Sequence, residues 1–366
     1  MNVQSIEIKK EKIKKSANKV RGNELIADYY IKLYEKTGLA INRADAVNSC
    51  LKVWDIDYYR LQKVKDVLRV NLCRDKFCPN CQNLISKRRY IKYKPELDKL
   101  LENYSLWHVV FSVPNCSGKE LKGTLKKMYS KFVYVVQYLQ NKRKAKNVDF
   151  TRYGFAGAIR SLEITLKETS ENIFEFHPHF HCIFVLRKGI REDRKFVNDF
   201  SFKKGSEKKR LFNDFEILLQ KCWYLFYNDK KLTKQGLDEI KQGYSVYAER
   251  VYKNYKEVFK YACKGLYDER TGSFNYPYNV FEVLYDGLHR RKIIQGYGIL
   301  NKFKFDEEEE NEDFNEIYNE IINGLKEIEN PLRCYMQLKE LLEDFEKRDD
   351  IKYISKNAVK TLDYDS

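Results

Sequence analysis

The chain has 366 residues, long enough for one large domain or two with an ample core, and its 69 Lys and Arg against 53 Asp and Glu leave a formal net charge of +16. No apolar run approaches the roughly 18 residues needed to span a membrane, and the opening segment with Lys9, Lys10, Lys12, Lys14 and Lys15 lacks the apolar core of a signal peptide. No membrane-spanning helix is predicted, and the expectation is a cytoplasmic protein whose nine cysteines serve as thiols or metal ligands rather than disulfides.

The charge is segregated. From Asp306 onward there are 8 basic and 19 acidic residues, so residues 1–305 hold 61 basic and 34 acidic ones. A body that basic predicts a polyanionic partner, most simply nucleic acid. An AT-rich coding bias accounts for abundant Lys, Tyr, Asn and Ile, but it would raise Glu as well and does not sort charge by position.

In chain order, residues 1–45 read as a solvated, flexible basic arm. Residues 46–95 hold four cysteines, Cys50, Cys73, Cys78 and Cys81. Cys78-Pro-Asn-Cys81 is a tight turn that aims two sulfurs inward. With Cys73, and with Cys50 across an excursion of roughly 20 residues, it completes the four ligands of a structural, tetrahedral Zn2+. A plain buried thiol is the alternative for Cys50. A redox Cys-x-x-Cys is the competing reading, against which the extra cysteines argue. Lys76, Lys87, Arg88, Arg89 and Tyr90 beside the knuckle suit phosphate contacts.

Residues 96–302 are predicted to be the main domain. It opens on an apolar strand, Leu106 to Phe111, closed by Pro114 and with His108 packed within it. Residues 118–144 form a basic amphipathic helix, with Leu121, Leu125, Met128, Phe132 and Val135/Val136 at helical spacing. Residues 188–210 read as an exposed charged loop and 212–227 as a helix with Cys222, Trp223 and Phe226 in the core. Tyr255 to Gly265 reads as a helix ended by glycine, which sets Glu257, Tyr261 and Lys264 on one face. Lys260 or Lys264 there favours a phenolate, and Glu257 can handle protons. Arg290 and Arg291, before Gly296-Tyr-Gly298, suit a DNA backbone contact. Residues 303–366 are an acidic linker, Asp306 to Asp313, followed by two amphipathic helices at about 314–327 and 331–348.

The densest chemistry lies in Phe176–Leu186, which holds three of the five histidines. Strand periodicity puts His179 and His181 on one face and Phe180, Cys182 and Phe184 on the other. The preceding Ser161–Leu166 alternates too, with Leu162, Ile164 and Leu166 on one side. Thr169 to Asn172 is turn-like, and a hairpin centred at Glu171 pairs Glu163 with His179 and Leu162 with Phe180, so the apolar faces agree. Opposed Cβ atoms lie roughly 5 Å apart, which gathers Glu163, His179 and His181 into a divalent-metal site on the polar face of an antiparallel sheet. A structural carboxylate–histidine contact is the alternative. The predicted fold class is α+β: a central antiparallel sheet flanked by helices, with an N-terminal zinc knuckle and a helical acidic C-terminal extension.

These residues resemble, in order from Cys50 to Lys302, the rolling-circle plasmid replication initiators of the HUH endonuclease superfamily, of the single-tyrosine Gram-positive type. The resemblance rests on Cys50, Cys73-x4-Cys78-Pro-x-Cys81, Phe111-Ser-Val-Pro-Asn, Arg160-Ser-Leu-Glu163, His177-Pro-His-Phe-His181, Glu257-x3-Tyr261-x2-Lys264 and Arg290-Arg291 with Gly296-Tyr-Gly298. It implies an HUH-like sheet, with Tyr261 as nicking nucleophile, Mg2+ or Mn2+ on His179 and His181, and Glu257 directing water. The implied partners are single-stranded or extruded origin DNA and the host helicase and polymerase, with homo-oligomerisation possible. The acidic C-terminal extension departs from the family pattern. A two-tyrosine transposase would need Tyr-x3-Tyr, which occurs nowhere after His181. A relaxase usually places its tyrosine before the histidines. A non-catalytic zinc-knuckle binder accounts for the basic body but not for Glu163, His179, His181 and Tyr261 together.

Overall fold

The structure is a computed structural model that describes residues 10–197, 210–241, 243–252, 255–259, 274–302 and 312–355. In chain order the elements are α1 (Lys10–Thr37), α2 (Ile41–Asn48), β1 (Val53–Tyr59), β2 (Val64–Val70), α3 (Pro79–Leu100), β3 (Tyr104–Ser112), β4 (Cys116–Ser117), α4 (Gly118–Leu139), β5 (Gly157–Ser170), β6 (Ile173–Arg187), α5 (Asp214–Tyr227), α6 (Lys234–Glu239), β7 (Val246–Val251), α7 (Tyr278–Leu288), β8 (Ile294–Gly298), α8 (Glu312–Ile328), β9 (Leu332–Gln337), α9 (Leu338–Lys347) and β10 (Lys352–Ile354). The class is α+β, with largely antiparallel sheets flanked by helices. The chain divides into two compact units: Met1–Arg88 with Leu266–Tyr276 and Asp306–Ser366, and Arg89–Gly265 with Pro277–Phe305.

In the first unit, the sheet order is β10-β2-β1-β9, with β10 parallel to β2 and the other pairs antiparallel. One face packs Trp54, Ile56 and Val67 against Leu341 and Phe345 of α9, and the other packs Tyr59 and Val64 against Tyr318, Ile321 and Ile322 of α8. The expected flexible arm is instead helical from Lys10, and its second half buries Ile26, Ala27, Tyr29, Tyr30 and Leu33 at helical spacing. Gly38, at φ +72°, ends that helix with its N–H on the Tyr34 carbonyl. The helix expected over 331–348 is a strand followed by a helix. Leu332–Gln337 alternates and pairs with β1, and Glu340 caps α9 by accepting the Gln337 N–H at 2.7 Å. Ion pairs and hydrogen bonds tie α8, β9 and α9 to this sheet: Lys65–Asp344 at 2.6 Å, Arg333–Asp57 at 2.5 Å, and Tyr318 Oη donating to Asp66 at 2.5 Å.

In the second unit, antiparallel strands run in the order β7-β3-β6-β5-β8, with β4 against the start of β6. One face carries Phe111, Phe180 and Phe184, which meet Phe132 of α4 and Trp223 of α5 edge to face or tilted at 5.4–6.4 Å. Arg160 is wholly buried on this side, stacked 4.0 Å over Tyr129, and donates to the Lys292 carbonyl. The opposite face is apolar at one end, where Leu106, Ile159, Ile183 and Val185 pack on Tyr93 and Leu97 of α3 and on Tyr255, Val258 and Phe259. Toward the hairpin tip the same face becomes polar. That change puts a dry floor beside the histidines.

Candidate metal centres

The β5–β6 register places Glu163 directly opposite His179 and Leu162 opposite Phe180, as the hairpin reading expected. Asn172 supplies the left-handed turn residue, at φ 58°. Glu163 Oε2 lies 2.7 Å from His181 Nε2 and 3.3 Å from His179 Nε2. Ligand pairs at adjacent corners of an octahedral Mg2+ or Mn2+ site, at about 2.1 Å from the ion, are about 3 Å apart, so these spacings fit one shared ion. The tautomers fit too. His179 Nδ1 is 3.1 Å from the His177 carbonyl, which can only accept, so the lone pair of neutral His179 is on Nε2. His181 Nδ1 faces His108 Nε2 at 3.0 Å, a pairing that either tautomer can make, while its Nε2 points to Glu163. The carboxylate and two imidazoles can therefore hold a metal.

Electrostatics agree with a negatively charged ligand set. Burial alone would push the Glu163 carboxyl up, but hydrogen bonds and charge from His179 and His181 outweigh it and hold it well below the usual range. Burial pushes the His177 imidazole down, assisted by His179. His108 is also lowered, first by burial and then by His181, against an opposing pull from Glu249 and Glu257.

His108 is thus packed, as the sequence reading expected, but against His181 and Glu249 rather than apolar neighbours alone. It lies on β3 diagonal to His181, and Glu249 is its direct partner on β7. The signal was a single histidine in an otherwise apolar strand, but its partners are 73 and 141 positions away, out of reach of local pattern. Glu257 is half-buried in the short 3-10 turn Lys256–Phe259, whose Val258 and Phe259 sit on the apolar part of the same sheet face. The described part of the predicted Tyr255–Gly265 helix is therefore a 3-10 turn. Lys260, Tyr261 and Lys264 lie outside the described residues.

The second centre is in the first unit. Cys50 follows α2, Cys73 follows β2, and Cys78 and Cys81 flank the start of α3, so the excursion between Cys50 and Cys73 is the β1–β2 hairpin. The sulfur separations are 3.5 Å for Cys50–Cys81, 3.6 Å for Cys50–Cys78 and 3.7 Å for Cys73–Cys81. A tetrahedral site with Zn–S bonds of about 2.3 Å has edges of about 3.8 Å, whereas a disulfide needs about 2 Å. Cys50 belongs to the cluster, and the four sulfurs can hold a metal. Cys81 Sγ also accepts the Arg74 N–H at 3.3 Å, which suits a ligating thiolate.

Of the basic residues singled out, Arg88 and Arg89 are half-buried on α3 and Arg290 is exposed at φ 52°. Arg291 donates to the carbonyls of Gly287 and Lys122, tying α7 to α4. The loop they open runs beside the metal strand, with the Leu162 N–H on the Ile293 carbonyl at 2.9 Å. Among the described residues no helix is long and apolar enough to cross a membrane.

The two centres define a class: a basic protein with a carboxylate–dihistidine site on a sheet and a separate four-cysteine site. The chain belongs to the Replication protein family, whose model matches residues 64–340. That membership is consistent with a rolling-circle plasmid replication initiator, the resemblance drawn from the motifs. No curated protein and no solved structure matches the chain significantly.

Proposed function

We propose that this replication protein nicks and rejoins plasmid origin DNA, starting and ending rolling-circle replication through a 5′-phosphotyrosine intermediate. The observation that carries the reading is the convergence of His179 Nε2 and His181 Nε2 on Glu163 Oε2, with the other nitrogen of each ring already engaged. Glu163, His179 and His181 would hold Mg2+ or Mn2+, which a hard carboxylate with two imidazoles suits. When bound, the ion supplies Lewis acidity to a phosphodiester oxygen and offsets charge that repels a nucleophile.

Tyr261 is the proposed nucleophile. Its oxygen bonds to phosphorus as the bond to the 3′-oxygen breaks, and the leaving oxygen takes up a proton to become the 3′-OH primer. The phosphoryl group is conserved on the enzyme, so a later strand can be rejoined. Lys260 or Lys264 favours the phenolate, and Glu257 activates the water that ends the cycle without a second adduct. The short turn that carries Glu257 packs Val258 and Phe259 on the apolar part of the same sheet face. The catalytic domain is proposed to be residues 96–302, HUH endonuclease-like in architecture. Structural Zn2+ is proposed for Cys50, Cys73, Cys78 and Cys81. Arg88, Arg89, Lys260, Arg290 and Arg291 are proposed contacts to single-stranded or extruded origin DNA, and the host helicase and polymerase extend the primer in the bacterial cytoplasm.

Incubation with supercoiled DNA bearing the cognate origin and Mn2+ tests the reading. Wild-type protein yields nicked circles, whereas His179→Ala and His181→Ala bind duplex DNA but do not nick it. Full nicking by His181→Ala in Mg2+ would overturn the metal assignment.

A further inference from the structure

We propose that His108 and Glu249 form a relay that positions His181 as a metal ligand, so that metal affinity depends on two residues that do not touch the ion. The inference rests on the metal reading above. His181 has both ring nitrogens engaged: Nε2 is 2.7 Å from Glu163 Oε2, and Nδ1 is 3.0 Å from His108 Nε2. The two rings are 5.2 Å apart between centroids and within 4° of parallel. With nitrogens 3.0 Å apart, that puts them edge to edge in nearly one plane, as an N–H···N bond between imidazoles requires.

The proton positions follow from the ligand role. A ligating Nε2 offers its lone pair, so the proton of neutral His181 is on Nδ1, and it donates to His108 Nε2. His108 then carries its own proton on Nδ1, which faces Glu249 Oε1 at 3.7 Å across the β3–β7 pair. At that distance Glu249 acts on His108 through its charge rather than through a hydrogen bond. The order is Glu163, His181, His108, Glu249, across strands β5, β6, β3 and β7.

The two ligand histidines are therefore held differently. His179 is fixed within its own strand by the His177 carbonyl. His181 is instead held by a side chain on the neighbouring strand. Directly opposite His181 on β3 is Val110, whose side chain accepts nothing, so the diagonal neighbour His108 takes the part. His108 is not a fourth ligand: its Nε2 is on the far side of His181 from Glu163, and the ligand atoms that cluster within 4.8 Å are those of Glu163, His179 and His181. Partners behind a ligating histidine fix its tautomer and ring angle, and removing one typically costs about 10- to 100-fold in metal affinity.

The test is calorimetric Mn2+ titration of the full chain, zinc-loaded at its cysteines. His108→Phe keeps a ring without an acceptor, and we expect Mn2+ affinity to fall about 10- to 100-fold, with the Mn2+ concentration for half-maximal nicking rising by the same factor. His108→Gln puts an amide oxygen near the position of Nε2 and should recover most of the affinity. Glu249→Gln, at a residue 59% exposed and so tolerant of change, should weaken binding by a smaller factor. Wild-type Mn2+ affinity in His108→Phe overturns the relay while leaving the metal site standing. Equal losses in His108→Phe and His108→Gln overturn it as well, since a lost acceptor would not be the cause. Failure of the wild-type protein to bind Mn2+ overturns the metal reading itself, and the relay with it.

Discussion

Asp66 reports on whether the acidic C-terminal segment is a structural part of the first unit. It lies on β2 between Asp57 of β1 and Ile354 of β10, is 1% exposed, and accepts the Tyr318 hydroxyl of α8. Burial pushes its carboxyl up to about 6 from 3.8, although the Tyr318 hydrogen bond pulls the other way and Asp57 adds to the rise. The folded state thus binds this proton more tightly than the unfolded chain. Stability from this group is complete below about pH 4 and is lost as pH rises through about 6. A rise of about 2 units at 1.36 kcal/mol each amounts to roughly 3 kcal/mol. Asp66→Asn keeps the shape and an acceptor for Tyr318 but removes the titration. Its stability relative to wild type should therefore increase by roughly 3 kcal/mol between about pH 4 and about pH 7, whatever constant offset the amide introduces. Urea unfolding of both proteins across that range reads the difference directly. A difference that stays flat with pH would refute the placement of α8 and β10 over this carboxylate.

Purified protein should contain about one zinc per chain by elemental analysis, and Cys81→Ser should lose it and melt earlier, because structural zinc contributes directly to folding; zinc-free wild-type protein with unchanged melting would count against the site. Gly298→Ala should lower the melting temperature well beyond Gly38→Ala. Both glycines have positive φ, costing about 1–2 kcal/mol for alanine, but a Cβ at 298 would sit 2.2 Å from the Ala156 carbonyl oxygen, whereas at 38 nothing lies within 4 Å. Equal melting shifts in scans of the two variants would mean that β8 does not close against β5 as described.

The parts legible in the sequence were those whose partners lie nearby along the chain. The Glu163–His179 pairing followed from a period of two and one turn, because a slip of one residue would have put Leu162 and Phe180 on the wrong face. The four cysteines were legible by spacing. The N-terminal helix was misread because lysine density drew more weight than the Ile26, Tyr29, Tyr30 and Leu33 spacing that buries it. The strand at Leu332–Gln337 was missed because what makes it a strand is β1, more than 270 residues earlier. The polar partners of His108 were missed for the same reason. They meet it only once β3 lies against β6 and β7, and no local window contains that pairing.

The most direct test of the central claim is to trap the protein–DNA adduct. Protein incubated with a single-stranded origin oligonucleotide and Mn2+ would be digested and the DNA-linked peptide identified by mass spectrometry. One 5′-phosphoryl adduct is expected, on the oxygen of Tyr261, absent in Tyr261→Phe and in His181→Ala. An adduct on another of the 28 tyrosines, or nicked product formed without any covalent adduct, would contradict that claim.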